Sequence, residues 1–141
     1  PEGDYNVGRF YLVGLHVEED KDKALEYLLR SAAQGFSKAL HLVGSLYLET
    51  KEREKHELGL QYIRKSAEKG FSIAQFDLGM LFYGGDIVPQ DIQNAIYWLE
   101  KAAANGFPEA LGNLGQLYLS GNLVPVDYEK ARIYFEKAVA K

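Results

Sequence analysis

The chain has 141 residues, 47% of them hydrophobic and 26% charged, the balance of a globular domain and not of a disordered or fibrous segment. Its formal net charge of −4 argues against nucleic acid, which is held by surplus Lys and Arg, and no apolar run reaches the ~20 residues of a membrane-spanning helix. With no Cys, the chain has no disulfides, thiolate zinc sites or thiol catalysis. No stretch reads as a secretory signal. The chain opens on Pro1, so it is expected to be a segment of a longer protein, and its compartment stays open.

Taken in chain order, four units follow one another at about 1–36, 37–71, 72–107 and 108–141, read as one repeat domain. A marker glycine (Gly8, Gly44, Gly79, Gly115) recurs at 36, 35 and 36 residues, each preceded by an apolar residue and followed three residues later by an aromatic (Tyr11, Tyr47, Phe82, Tyr118). A second column of small residues, Ala24, Gly59, Ala95 and Ala131, also has an aromatic three residues on (Tyr27, Tyr62, Trp98, Tyr134). Each unit reads as two helices. In unit one the second helix carries the stripe Ala24, Tyr27, Leu28, Ser31, Ala32, and in unit two the first carries Ala39, Val43, Leu46, Tyr47. Both stripes have a period near 3.6.

The stops agree. Gly35, Gly70 and Gly106, each followed by Phe, are placed for left-handed helix ends. Ser37 and Ser72 are expected to cap the next helix, and Pro108 to open one. The loops Gly84–Asp91 and Ser120–Asp127 match, their Gly ending one helix and their Asp capping the next, a place Asp20 takes in unit one. Unit two departs between Tyr47 and Gly59, where a longer first helix or a different turn is expected. Ala or Gly at a crossing lets helix axes approach, and the aromatic columns are expected to fill the core beside them. Helices this short are marginal alone, so stacking of units must supply the core.

The run Ala95-Ile96-Tyr97-Trp98-Leu99-Glu100-Lys101-Ala102-Ala103-Ala104-Asn105-Gly106 resembles the second helix of a Sel-one-like repeat. The run Ala110-Leu111-Gly112-Asn113-Leu114-Gly115-Gln116-Leu117-Tyr118-Leu119-Ser120-Gly121 resembles its first helix and loop. The likeness covers the whole chain. It implies an all-α, right-handed α–α superhelix (a solenoid) of four tetratricopeptide-like helix-turn-helix repeats. Its first helices would line a concave face. The resemblance further implies an adaptor role, in the bacterial cytoplasm or periplasm, outside the cell, or in the endoplasmic-reticulum lumen.

Catalytic signals are thin. His16, His41 and His56 fall at unrelated positions without metal-ligand spacing and read as surface or groove imidazoles. Glu18, Glu19, Asp20 and Asp22 lack the turn Gly and distal Glu of a calcium loop and read as a solvated helix start. Gly84-Gly85 lacks the Lys-Ser/Thr of a phosphate loop. No catalytic residue, metal or cofactor is expected.

Function is expected where the repeats differ. On the first helix, the positions three before, one after and four after the marker glycine form one stripe. They collect Tyr5, Arg9 and Leu12; His41, Ser45 and Leu48; Phe76, Met80 and Tyr83; Gly112, Gln116 and Leu119. By the resemblance this stripe faces the groove, with Phe76, Met80 and Tyr83 as anchors for a peptide or protein partner. Arg9 and His41 form a cationic end. The alternatives are a hydrolase of cell-wall fragments using Asp77, Glu49 or Glu109, and a spacer within a longer array. Leu111, Phe135 and Val139 are expected on an open end face, with end-to-end self-association through the terminal repeats.

Overall fold

The computed structural model describes residues 1–13 and 18–140, and the side chains of 1–12 and 22–140. All regular structure among the described residues is helical, and the chain folds as two compact units. The first, Pro1–Lys69, holds α1 (Glu2–Val13), α2 (Glu18–Ala33), α3 (Ser37–Glu49) and α4 (Arg53–Glu68). The second, Gly70–Lys141, holds α5 (Ser72–Gly84), α6 (Ile92–Ala104), α7 (Glu109–Ser120) and α8 (Tyr128–Ala140). In each unit consecutive helices pair as hairpins, and the second helix of one hairpin packs on the first helix of the next: α2 on α3, and α6 on α7.

The repeated glycines and alanines explain why the hairpins close. A Cβ on Gly44 would sit 2.7 Å from Ile63 Cγ1 and 2.8 Å from the Gly59 carbonyl oxygen, so α3 and α4 touch backbone to backbone. Gly8 would meet Leu28 and Gly79 would meet Leu99 in the same way. Fully buried small and aliphatic residues fill the space between: Leu28, Ala32, Ala39, Leu40 and Val43 in the first unit, and Leu99, Ala102, Ala110, Leu111 and Leu114 in the second. The aromatic columns stand beside this core and do not fill it; only Trp98 is buried. Across three of the hairpins the columns pair, Tyr11 with Tyr27 at 5.9 Å, Tyr47 with Tyr62 at 5.9 Å and Tyr118 with Tyr134 at 6.0 Å between ring centres. A phenol hydroxyl keeps water, so a tyrosine column is held at the hairpin flank.

Helix ends follow the glycines. Gly35, Gly70 and Gly106 all have positive φ. At Gly35 the Phe36 N–H donates to the Ser31 carbonyl and the Gly35 N–H to Ala32, and Phe107 and Gly106 repeat this on Ala102 and Ala103. Gly85 and Gly121 end α5 and α7 with positive φ. Asp91 caps α6 by accepting from the Asn94 N–H, and Asp127 accepts from the Lys130 N–H at the start of α8. Asp20 does not hold the capping place expected of it: α2 starts at Glu18, so Asp20 is already helical. The serines correct the expectation: Phe36 and Phe71 hold the N-cap positions of α3 and α5 without a side-chain cap, and Ser37 and Ser72 are already helical. Pro108 stands just ahead of α7 with helical φ and ψ. In the divergent second repeat α3 is no longer than α5. The turn is short instead, and α4 begins early at Arg53. Thr50 closes this turn, its hydroxyl donating to the Tyr47 carbonyl at 3.1 Å, with His56 Nε2 2.5 Å from the Thr50 carbonyl oxygen.

Candidate interaction surface

In the first unit, Tyr5 meets Phe36 edge-on at 5.2 Å, and the Arg9 guanidinium lies 5.7 Å above the Tyr5 ring. Tyr5 and Leu12 are half-buried against the core of that unit. On α3, His41 and Ser45 are half-buried, and the Ser45 hydroxyl donates to the His41 carbonyl at 3.0 Å. Leu48 leans over Gly59, where a Cβ would come within 3.1 Å of its Cγ.

In the second unit, Phe76 stacks on Phe107 at 4.6 Å, and both Phe76 and Met80 pack against the Leu99–Leu114 cluster. Asn113 Nδ2 on α7 donates to the Met80 sulfur at 3.6 Å. Two of the expected anchors therefore also bind repeat to repeat. Tyr83 is half-buried further along α5, and its backbone carbonyl accepts from Gln90 Nε2 at 2.9 Å. Gln116 and Leu119 are exposed on α7. Asn113 escapes the sequence pattern because the stripe position beside it falls on Gly112.

The remaining polar candidates are dispersed. Asp77 is half-buried on α5, Glu49 is exposed at the end of α3, and Glu109 is exposed at the start of α7. Glu49 lines a cleft of about 390 Å³ with Asp22, Tyr47, Glu52 and Lys55. Burial, and secondarily the nearby Tyr62 phenol, raises the Tyr47 pKa, with Lys55 opposing. Among the described residues no group of three or more His, Asp or Glu could hold a metal ion. His16 and most of the Glu18–Asp22 cluster lie outside the described side chains. No helix among the described residues is long and apolar enough to cross a membrane.

Sequence reasoning misses a recurrent ring-and-cation pairing. Arg30 lies 5.1 Å above Tyr27, Lys65 5.9 Å above Tyr62 and Lys101 5.9 Å above Trp98, each cation one helical turn beyond its ring. The signal is present as a basic residue three places after each of these second-column aromatics. The Tyr134 hydroxyl instead donates to Glu100 Oε1 at 2.6 Å, tying α8 to α6. Burial, then this bond and the Glu100 charge, raise the Tyr134 pKa well above the usual tyrosine range.

Helix-turn-helix units closed by small residues and stacked second helix on first define an all-α repeat protein of the solenoid class. The chain belongs to the Sel1 repeat family, whose repeat matches at residues 1–36, 37–71, 72–107 and 108–141. A Sel1 repeat protein from Oxalobacter formigenes is 25% identical, with a TM-score of 0.83 over 99% of this chain and 58% of its own. The protein c5321, described as a protective antigen of uropathogenic Escherichia coli strains displaying an SLR fold, is 33% identical, with a TM-score of 0.82 over 97% of this chain and 30% of its own. Cysteine-rich protein B of Helicobacter pylori, 23% identical, shares the fold with a TM-score of 0.65 over 90% of this chain and 92% of its own. This chain thus spans 58% and 30% of the first two relatives. No curated protein matches. Sel1 repeats generally mediate protein–protein interaction, and the family is typically non-catalytic.

Proposed function

We propose that the chain is a non-catalytic interaction scaffold that takes a peptide or protein partner on the first-helix faces of its repeats. One contrast supports this reading. On α5 and α7 the positions that are the same in both helices, Leu78 and Leu114, Gly79 and Gly115, are buried, while those that differ between the two, Met80 and Gln116, Tyr83 and Leu119, keep exposed surface. Packing accounts for the first group and for part of Met80, and Tyr83, Gln116 and Leu119 are left for recognition. Met80 and Tyr83 supply adaptable apolar surface, and Gln116 supplies donors and an acceptor at its edge. In the first unit Tyr5, Arg9, Leu12, His41, Ser45 and Leu48 form the corresponding stripe, and the Arg9 guanidinium offers a charge for a carboxylate.

Peptides selected from a random displayed library against the parent chain test the assignment. Binding of the selected peptides should fall at least about tenfold on a Tyr83→Ala/Leu119→Ala chain, as interface anchors do when truncated. It should persist on Tyr97→Ala, an exposed second-helix ring. Peptides that ignore Tyr83 and Leu119 would refute the first-helix assignment, and a chain that selects none would favour the spacer.

A further inference from the structure

Two clefts of nearly equal size occupy matching places, one in each unit. In the first unit a cleft of about 500 Å³ lies between α2 and α4, with Leu40 of α3 at its foot. Leu29 and Ala33 of α2 line one wall, and Tyr62, Lys65 and Lys69 line the other. In the second unit a cleft of about 510 Å³ lies between α6 and α8, where Ala104, Leu111, Tyr134 and Lys137 stand at the places of Ala33, Leu40, Tyr62 and Lys65. Leu111, expected on an open end face, is buried against α6 at the foot of this second cleft.

The two linings part at the position of Leu29, which is Glu100 in the second unit. There Glu100 accepts from the Tyr134 hydroxyl at 2.6 Å, so the second cleft holds a carboxylate of its own, with Lys137 in the same lining. The first cleft keeps the tyrosine and the lysine and lacks that acid. Lys65 lies 5.9 Å above the Tyr62 ring, and a methyl on Gly35 would come within 3.0 Å of the Lys69 ammonium, which places this second cation at the end of α2. Among the described residues neither Lys65 nor Lys69 pairs with a carboxylate. Glu68 is the one acid in the lining, so the cleft carries a net positive charge beside an apolar wall.

We propose that the α2/α4 cleft of the first unit binds a glutamate side chain of a partner protein, flanked there by apolar residues. Tyr62 donates to the incoming carboxylate as Tyr134 donates to Glu100, and Lys65 and Lys69 supply the countercharge. The apolar neighbours of that glutamate rest on Leu29 and Ala33. The second unit's cleft takes no such ligand, because Glu100 already fills the place. This site is built on second helices and does not depend on the first-helix stripe.

Nuclear magnetic resonance titration with three capped or uncapped pentapeptides tests it. The first is capped at both ends and carries leucine on either side of a central glutamate. The second is its glutamine twin, and the third has a free C-terminal carboxylate and no glutamate. The glutamate peptide should give saturable amide shifts on α2 and α4 around Gly35 and Lys69. The glutamine twin should bind at least about threefold more weakly, and Tyr62→Phe should weaken the glutamate peptide by a similar factor, as loss of a hydrogen bond to a charged group does. Leu29→Glu reproduces the arrangement of the second unit and should abolish binding, with folding checked by circular dichroism. Tyr134→Phe should bind like the parent. A glutamine twin that binds equally, or a Tyr62→Phe chain that binds like the parent, overturns the proposal. So does a titration in which only the free C-terminal carboxylate binds, which would make the ligand a chain terminus. The Tyr83→Ala/Leu119→Ala chain should keep its affinity for the glutamate peptide, so a failure of the first-helix face shows separately.

Discussion

Two glycines on the same kind of helix make opposite demands. Gly44 has no room: an added methyl would lie 2.8 Å from the Gly59 carbonyl oxygen, and backbone does not step aside. Overpacking of this kind costs about 1–3 kcal/mol, of which roughly 1 kcal/mol returns through the better helix propensity of Ala. Gly44→Ala should therefore lower the urea midpoint, and a midpoint equal to the parent's would contradict the backbone contact. Gly112 has nothing within 4 Å of the place a methyl would take and ordinary helical backbone, so Gly112→Ala should stabilise by about 0.5–1 kcal/mol. Tyr134 carries the larger part of the alkaline pH dependence, with Tyr47, also raised by burial, adding to it. Its folded pKa is raised, chiefly by burial, so the folded state holds a proton that the unfolded chain gives up near pH ~10. The stability it contributes is complete below that pH and is lost as pH rises toward the folded value. Tyr134→Phe should flatten the fall of the urea midpoint above pH ~10. An unchanged alkaline slope would remove Tyr134 as its source. Tyr47 is also half-buried, so Tyr47→Ala should cost less than the ~3–5 kcal/mol of a fully buried aromatic.

At the scale of the element, caps separate what the sequence states from what it leaves open. Asp91→Ala removes the acceptor for the Asn94 N–H and should cost about 1 kcal/mol, whereas Ser37→Ala should stay within ~0.5 kcal/mol because Ser37 caps nothing. Equal losses in thermal denaturation would refute the distinction. Helix number, the glycine stops and the aspartate caps are legible because each depends on a local backbone requirement that recurs at fixed spacing. The serine caps are not, because a Gly-Phe turn gives the N-cap position to Phe36 and Phe71, and only φ and ψ reveal the one-residue shift. The aromatic columns lie shallower than their pattern suggests for another reason. Periodicity reports that Tyr47 and Tyr62 share a helix side with the core but not how deep they lie, and the small residues of the crossings leave the centre to Leu, Ile and Val. On the candidate surface, the stripe itself follows from spacing, but the stacking of Phe76 on Phe107 and the reach of Asn113 to Met80 depend on how α5 meets α7, which no single helix encodes.

For the molecule, the division of labour is between positions that recur and positions that vary. The recurring glycines, alanines and leucines close each hairpin and seat α2 on α3 and α6 on α7, and Tyr83, Gln116 and Leu119 lie outside both core clusters. Changes at those side chains should therefore disturb the core little, the condition an interaction scaffold needs. The measurement that tests this most directly is amide hydrogen exchange of the chain with and without a library-selected peptide. Binding should slow exchange along α5 and α7 near Met80, Tyr83 and Leu119 and leave α6 and α8 at their unbound rates. Protection confined to α6 and α8, with α5 and α7 unchanged, would contradict a partner face built on the first helices.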